Sequence, residues 1–506
     1  MDDKIILVTG ATGYIGGRLV PLLLNKGYRV RAVARSRSKL ACRPWAEHPN
    51  LEIAVADLLD FESLNTAVRG CRAAFYLVHS MNSGVQDQEE TDRQAAQNMA
   101  RAATKEGLER IIYLSDLGED SSNPSRHLRS RAKVGSILQS SAVSTTILRS
   151  SIILGSGSVS FELVRYLTER MPIILVPQWV DTLSQPISVR NVLGYLAGCL
   201  EKKQTAGKTY DIGGPDVLTY EDIFRIYAQE SGLSKRFLIK VPFLNSKFLS
   251  CYAHLVTPLP ANLAETLIDS FRDKAVCQDQ EIKELIPQDL LSCREAISVA
   301  LQKVNRDQVQ TCWMDAGELD APEWIAHGDV AYAGGTVLEC AYEVTLQGSV
   351  WEVWPMLESI GGSRGWYGMD VLWRIRGDMD RLVGGPGLRR GRRDQSRLQV
   401  GDALDFWRVL KVEPPNGLLL LSEMKLPGEA MLEFRLLELP GGQVKIVQIA
   451  RFLPSGLSGL LYWYLSYPLH GLVFKSMLQN ISRESGHSVL SGPTMLQEKQ
   501  QALHQG

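Results

Sequence analysis

An excess of charge of either sign is missing from this chain. Lys and Arg number 55 against 56 Asp and Glu, for a formal net charge of -1. A nucleic-acid partner ordinarily requires a basic face, and the balance supplies none. Paired cysteines are missing as well. The eight cysteines form no C-x-x-C and sit beside no histidine cluster. They read as reduced, mostly buried thiols, neither disulfides nor metal ligands. Histidine is scarce and dispersed, eight in all, which leaves no metal-ligand spacing. Ser115, Asp116 and His127 lie near one another, but the chain lacks a G-x-S-x-G elbow, so serine-hydrolase chemistry is set aside. The opening MDDKIILVTG has no basic n-region and no cleavage site, so no signal peptide is expected and the location reads as cytoplasmic.

Long uncharged runs are also scarce. One stands out, 456–474, GLSGLLYWYLSYPLHGLVF, which has no Asp, Glu, Lys or Arg. It approaches the ~20 residues that span a bilayer. Pro468, His470, three glycines and two serines argue instead for a buried amphipathic helix. Peripheral contact with a membrane surface is the second reading, and a true span the third.

At 506 residues the chain exceeds one ordinary core. The first ~150 residues alternate short apolar runs with helical patterns, the sign of a parallel sheet covered on both faces. Strands are expected at 4–8, 28–34, 51–56, 73–79, 110–115 and 144–150, with helices between them. A smaller lobe follows to 235, then a mostly helical extension over 236–305. In the lobe, Thr219 and Asp222 have capping-box spacing. Beyond 310 the composition changes, and eight of the ten tryptophans lie there. Strand-like runs recur at 336–346, 370–376, 403–413, 417–424, 430–438 and 443–451, two pairs of them joined by PPNG and PGGQ turns. The expectation is an α+β domain over 310–488, an antiparallel sheet with a long C-terminal helix, and a disordered tail over 489–506.

VTGATGYIGG (8–17) sets Gly10, Gly13 and Gly16 at G-x-x-G-x-x-G spacing between a strand and a helix. Gly10 permits the tight turn, Gly13 lets the backbone approach a pyrophosphate, and Gly16 lets helix and strand pack closely. NAD sites carry an acid at the end of the second strand. Here the run is AVARSRSK, with Arg35, Ser36, Arg37 and Lys39. Arg35 can pair with a 2′-phosphate, so NADP is expected ahead of NAD. Asp57 closes AVADL where a carboxylate can hold the adenine amino group, with the Leu58 amide beside it.

These motifs, with YLVHSM (76–81), IIYLSDLG (111–118), HLRSRAKVG (127–135) and PISVRNV (186–192), carry a resemblance. Residues 1 to about 235 resemble the short-chain dehydrogenase/reductase superfamily in its atypical, NmrA-like branch. The resemblance implies a Rossmann-type doubly wound sheet. It also implies a cofactor pocket formed by Gly10, Thr12, Gly13, Tyr14, Ile15, Gly16, Arg35, Ser36, Asp57, Leu58, Val78, His79 and Arg131. In that superfamily Tyr passes the proton, Lys lowers its pKa and grips the ribose, and Ser holds the substrate carbonyl. Ser115 matches the Ser slot and Arg131 the Lys slot, whereas His127 stands in the Tyr slot. An imidazole can donate a proton near neutral pH, but a guanidinium one helical turn away lowers its pKa. Residues 310–485 resemble a START-like helix-grip fold, most of all at GWYGMDVLWRIRGDMDRLVGGPGLRRGRRD (365–394). That likeness implies a cavity for a small-molecule or lipid-like ligand, although the same aromatics also suit a filled core. The arginines of LRRGRRD read as a solvated loop or as a site for anionic headgroups.

Three functional classes stay open. The first is an NADP-dependent oxidoreductase acting on a small or apolar carbonyl or enone, with a C-terminal ligand domain. The second is a non-catalytic NADP(H)-binding sensor or structural module, and the third a lipid or quinone carrier. Oligomeric state is not legible.

Overall fold

The computed structural model describes residues 5–41, 43–78, 88–118, 125–241, 246–257, 259, 261–305, 337–389, 392, 394 and 397–496. His79, Met81, Pro258, Pro260, Trp313 and Trp324 lie outside the described residues. The chain divides into two compact units, Met1–Glu318 and Leu319–Gly506.

In the first unit, strands and helices alternate as β1 (Ile5–Val8), α1 (Gly16–Asn25), β2 (Val30–Ala34), α2 (Arg37–Ala41), β3 (Leu51–Val55), α3 (Phe61–Val68), β4 (Cys71–Tyr76), α4 (Gln88–Lys105), β5 (Arg110–Asp116), α5 (Arg126–Gln139) and β6 (Ser144–Ser150). The lobe contributes β7 (Ile153–Leu154), α6 (Val159–Arg170), β8 (Ile173–Val176), β9 (Leu183–Ser184), β10 (Ile187–Ser188), α7 (Val189–Glu201), β11 (Thr209–Ile212), β12 (Leu218–Thr219), α8 (Tyr220–Glu230) and β13 (Phe237–Lys240). The extension is α9 (Ser246–Val256), α10 (Ala261–Ser270), α11 (Glu281–Leu285) and α12 (Cys293–Asn305).

Seven strands pair in the order β11-β6-β5-β4-β1-β2-β3, all parallel. This is the Rossmann-type doubly wound sheet. The chain reverses its direction of strand addition between β1 and β4, and the crevice beyond the carboxyl ends there is where such sheets bind ligands. Both faces are covered. Val8, Ala73, Phe75 and Ile112 face a core shared with α1 and α7. Leu7, Ala74, Tyr76 and Tyr113 face another, shared with α3, α4 and α5. The strands therefore read as continuous apolar runs.

The second unit holds β14 (Leu338–Gln347), α13 (Val350–Glu358), α14 (Asp370–Leu382), β15 (Ala403–Leu404), β16 (Trp407–Glu413), β17 (Gly417–Ser422), β18 (Gly428–Leu439), β19 (Gln443–Pro454), α15 (Gly456–Glu484) and β20 (Val489–Met495). Seven strands form one antiparallel sheet in the order β15-β16-β17-β18-β19-β14-β20. Helix α15 packs on it through Trp463, Val473, Phe474, Met477, Leu478 and Ile481.

Three expectations fail in this unit. Residues 370–376 form the start of α14, not a strand. Leu372 and Trp373 pack on the core while Val371, Ile375, Met379 and Leu382 are exposed. Two helical stripes, interleaved in sequence, had imitated a strand-like run. The tail from 489 is not disordered throughout, because β20 pairs with β14, Tyr342 opposite Met495 and Glu343 opposite Thr494. Its Ser, Gly, Pro and Thr composition favours a loop, but β14 would otherwise leave an open edge. A side chain at Gly492, φ +89°, would meet the Glu343 carbonyl oxygen at 2.6 Å, so only glycine lets that strand approach. Thirdly, α15 is not simply buried. Leu457, Leu461, Tyr464, Leu465 and Leu472 are exposed, so its first half is apolar on both faces. No helix among the described residues is long and apolar enough to cross a membrane.

Candidate active site

The β1–α1 turn is built by its glycines. Gly10 adopts φ +66°, and a Cβ there would meet the Leu77 carbonyl oxygen at 2.7 Å. A Cβ on Gly16 would lie 2.2 Å from the Gly10 carbonyl oxygen, so helix and turn close on each other only as glycines. The Gly13 amide donates to the Gly10 carbonyl at 2.9 Å. The resulting concavity ends at the α1 N-terminus, where amides and the helix dipole favour a pyrophosphate. The residues present therefore fit a dinucleotide.

The expected adenosine-side residues surround the ends of β2 and β3. Arg35 and Arg37 are exposed and Ser36 half-buried, its hydroxyl 2.8 Å from that of Ser38. Arg43 is the residue sequence reasoning missed here. It is buried, and its guanidinium donates to the Thr12 carbonyl at 3.1 Å, tying the basic loop to the glycine turn. Asp57 Oδ1 accepts from the Leu59 amide at 2.9 Å. Leu58 is buried, and its carbonyl accepts from Asn98 at 2.9 Å. Val78 is half-buried at the end of the β4 segment.

A cavity of about 210 Å³ opens beyond the carboxyl ends of β5 and β6. Tyr14 of the glycine turn lines it with Asp116, His127, Arg131, Ser150 and Tyr220. His127 and Arg131 are four apart on α5, so both project from one face. Their common partner is Asp116. Its Oδ2 lies 3.1 Å from His127 Nε2 and accepts from Arg131 Nε at 3.0 Å. Arg131 Nη2 also donates to the Leu114 carbonyl at 3.0 Å. Burial works against the Arg131 charge, but Tyr113, Asp116 and Asp92 outweigh it and raise its pKa. The guanidinium expected to act on the imidazole is thus met by a carboxylate standing against both.

Ser115 is 1% exposed within β5 and is not among the cavity-lining residues. Successive strand residues point to opposite faces, so the side chain presented to the cavity is that of Asp116. The strand's end was legible in the sequence, but its parity was not. A serine does line the cavity from the next strand. Ser150 is buried, and its hydroxyl has no partner among the described residues. The extension contributes a wall through Leu267, Ser270 and Phe271, with Phe271 stacked on Tyr220 at 4.7 Å. No group of metal-ligating side chains occurs among the described residues.

Residues 10–154 match the family model described as NAD(P)H-binding. The first unit thus combines a Rossmann-type parallel sheet with a match to an NAD(P)H-binding family. Residues 332–477 match a family described as "Protein of unknown function (DUF2867)". Among curated relatives, cinnamoyl-CoA reductase 2 of Arabidopsis thaliana is 32% identical over 130 residues, covering 25% of this chain and 39% of the relative. The chloroplastic divinyl chlorophyllide a 8-vinyl-reductase of Zea mays is 29% identical over 260 residues, 48% of this chain and 62% of the relative. The chain thus spans less than two thirds of either. A triphenylmethane reductase of Citrobacter sp., solved with NADP(H), aligns over 58% of this chain and 99% of its own at 18% identity and a TM-score of 0.48.

Proposed function

We propose that the protein is an NADP(H)-dependent oxidoreductase that reduces a small or apolar carbonyl or enone. The observation that supports this best is the Asp116–His127–Arg131 set on the wall of a cavity that also reaches Tyr14 of the glycine turn. When bound, the nicotinamide supplies the hydride. His127 acts as the acid toward the substrate oxygen. Asp116 orients its ring through Nε2, as a carboxylate orients a catalytic imidazole. The Ser150 hydroxyl, buried without a partner, is suited to hold the carbonyl, and the apolar Leu267 and Phe271 wall excludes water. Arg35, with Arg37 nearby, selects the 2′-phosphate. The two curated relatives are, by name, a cinnamoyl-CoA reductase and an 8-vinyl-reductase, in keeping with a carbonyl or enone.

One observation favours a non-catalytic NADP(H) binder instead. Asp116, His127 and Arg131 satisfy one another, and Arg131 is already committed to Asp116 and Leu114. Turnover of NADPH against a panel of aldehydes, ketones and enones decides between the two. Turnover that His127→Ala abolishes supports the reductase; NADPH binding with no turnover on any substrate supports the binder.

In the same proposal the second unit is a START-like helix-grip domain holding an apolar ligand. Support comes from an antiparallel sheet packed against one long helix, and from the cavity between them.

A further inference from the structure

A cavity of about 150 Å³ lies inside the second unit, between β16, β18 and β19 on one side and α14 and α15 on the other. A space of ~150 Å³ is enough for one benzene-sized ring. Its body is apolar and aromatic. Phe452 stacks on Trp463 at 5.8 Å, Trp463 meets the His470 ring at 5.0 Å, and His470 stacks on Phe474 at 5.3 Å. Met424 and Leu426 complete it.

Unsatisfied polarity gathers around this space. Trp373 Nε1, Trp407 Nε1, Arg376 Nε and His470 Nδ1 are all buried without a hydrogen-bond partner among the described residues, and all four residues line the cavity. Each such group costs ~1–3 kcal/mol unless something completes it. Two neighbouring indoles are satisfied instead. Trp366 Nε1 donates to Asp405 at 2.8 Å and Trp354 Nε1 to Glu358 at 3.1 Å. Trp373 and Trp407 lie 5.3 and 6.1 Å from Trp366, yet no described carboxylate accepts from them.

Arg376 sits one helical turn from Trp373. Among the described residues its charge is met only by the Tyr462 ring, 5.5 Å from the guanidinium carbon. The other arginine of the wall, Arg451, is neutralised by Glu339 and Glu433. Three N–H donors, one of them cationic, therefore border an apolar space with no carboxylate among the described residues to receive them.

We propose that this cavity binds an apolar carboxylate, its ring or short chain against Phe452, Trp463 and Phe474 and its carboxylate on Trp373, Trp407 and Arg376. The inference rests on reading the second unit as an apolar-ligand domain and adds the head group that reading leaves open. His470 suits the apolar wall, since burial lowers its pKa to about 4 and leaves the ring neutral.

Calorimetric titration of the full chain with octanoate and with octan-1-ol tests it. Octanoate should bind ~10- to 100-fold more tightly than the alcohol, the range of hydrogen bonds to a charged group. Arg376→Met should erase that preference while leaving octanol affinity unchanged. Trp407→Phe, which keeps the bulk and removes the N–H, should weaken octanoate alone by several-fold. Equal binding of acid and alcohol overturns the head-group assignment but leaves the ligand domain standing. Octanoate binding that neither substitution alters also overturns it, because the acid then sits elsewhere. Binding of neither molecule overturns both.

Discussion

The charged groups at the two cavities are met in opposite ways. Around the cavity of the first, the charges form a closed set: Asp116 Oδ2 meets His127 and Arg131, and Arg131 reaches the Leu114 carbonyl. Around the cavity of the second, Trp373, Trp407 and Arg376 hold N–H groups that no described residue completes. A closed set holds its geometry without a ligand, as a site that must aim a proton requires. An open set loses free energy until a ligand arrives, as a site that recognises a head group requires. Under the proposed function, the difference separates a site that positions a proton from one that captures a head group.

The comparison breaks most sharply at His127. His127→Ala should lower turnover by ~10²–10⁴-fold, the usual effect of losing a general acid, with NADPH affinity nearly unchanged. Steady-state rates beside a direct NADPH titration check both halves. Arg131→Ala should instead weaken NADPH binding. Unchanged turnover in His127→Ala would show that the closed set is structural.

Next comes pH. Burial raises the Asp405 carboxyl from 3.8 to about 6 and lowers His470 from 6.5 to about 4. Between about pH 4 and 6 folded Asp405 keeps a proton that the unfolded chain has released, so this group makes stability fall as pH rises. From pH 6.5 down to about 4 the unfolded chain protonates His470 first, so this group makes stability fall as pH falls. The two nearly cancel, at about 3 kcal/mol each. His470→Phe should leave a second unit more stable at pH 5 than at pH 7, and Asp405→Asn should give the opposite slope. Urea unfolding followed by tryptophan fluorescence reads both.

A smaller effect sharpens the cofactor side. NADPH should bind more tightly than NADH, and Arg35→Glu should reverse the order, a swing of about ten- to hundredfold for a hydrogen-bonded charge pair. A titration in which the unaltered chain prefers NADH would sink this.

The smallest effect compares the units directly. Thr219 caps α8 through Asp222, and Ser349 opens α13 with Glu352. Thr219→Ala and Ser349→Ala should each cost ~1 kcal/mol. If the units unfold separately, each substitution shifts one thermal transition and spares the other.

Sequence by itself determined the first unit's sheet, because the βα repeats carry their own apolar runs and helices, three of them closed by Gly27, Gly70 and Gly107, all local signals. It determined the glycine turn, since Gly10 and Gly16 have no substitute where a side chain would meet backbone at under 3 Å. It also placed His127 and Arg131 on one helix face, which spacing alone guarantees. Tertiary structure decided the rest. Whether Ser115 or Asp116 meets the cavity depends on strand parity, and one residue of offset reverses it. Arg43 and the Leu267–Phe271 wall reach the site by packing over long sequence separations. The segment 370–382 became helix and 489–495 became strand because a core stripe and an open sheet edge needed covering, which no local propensity records. The orphaned N–H groups of the second unit exist only once α14, β16 and α15 close around one space, since a donor lacks a partner only relative to what surrounds it.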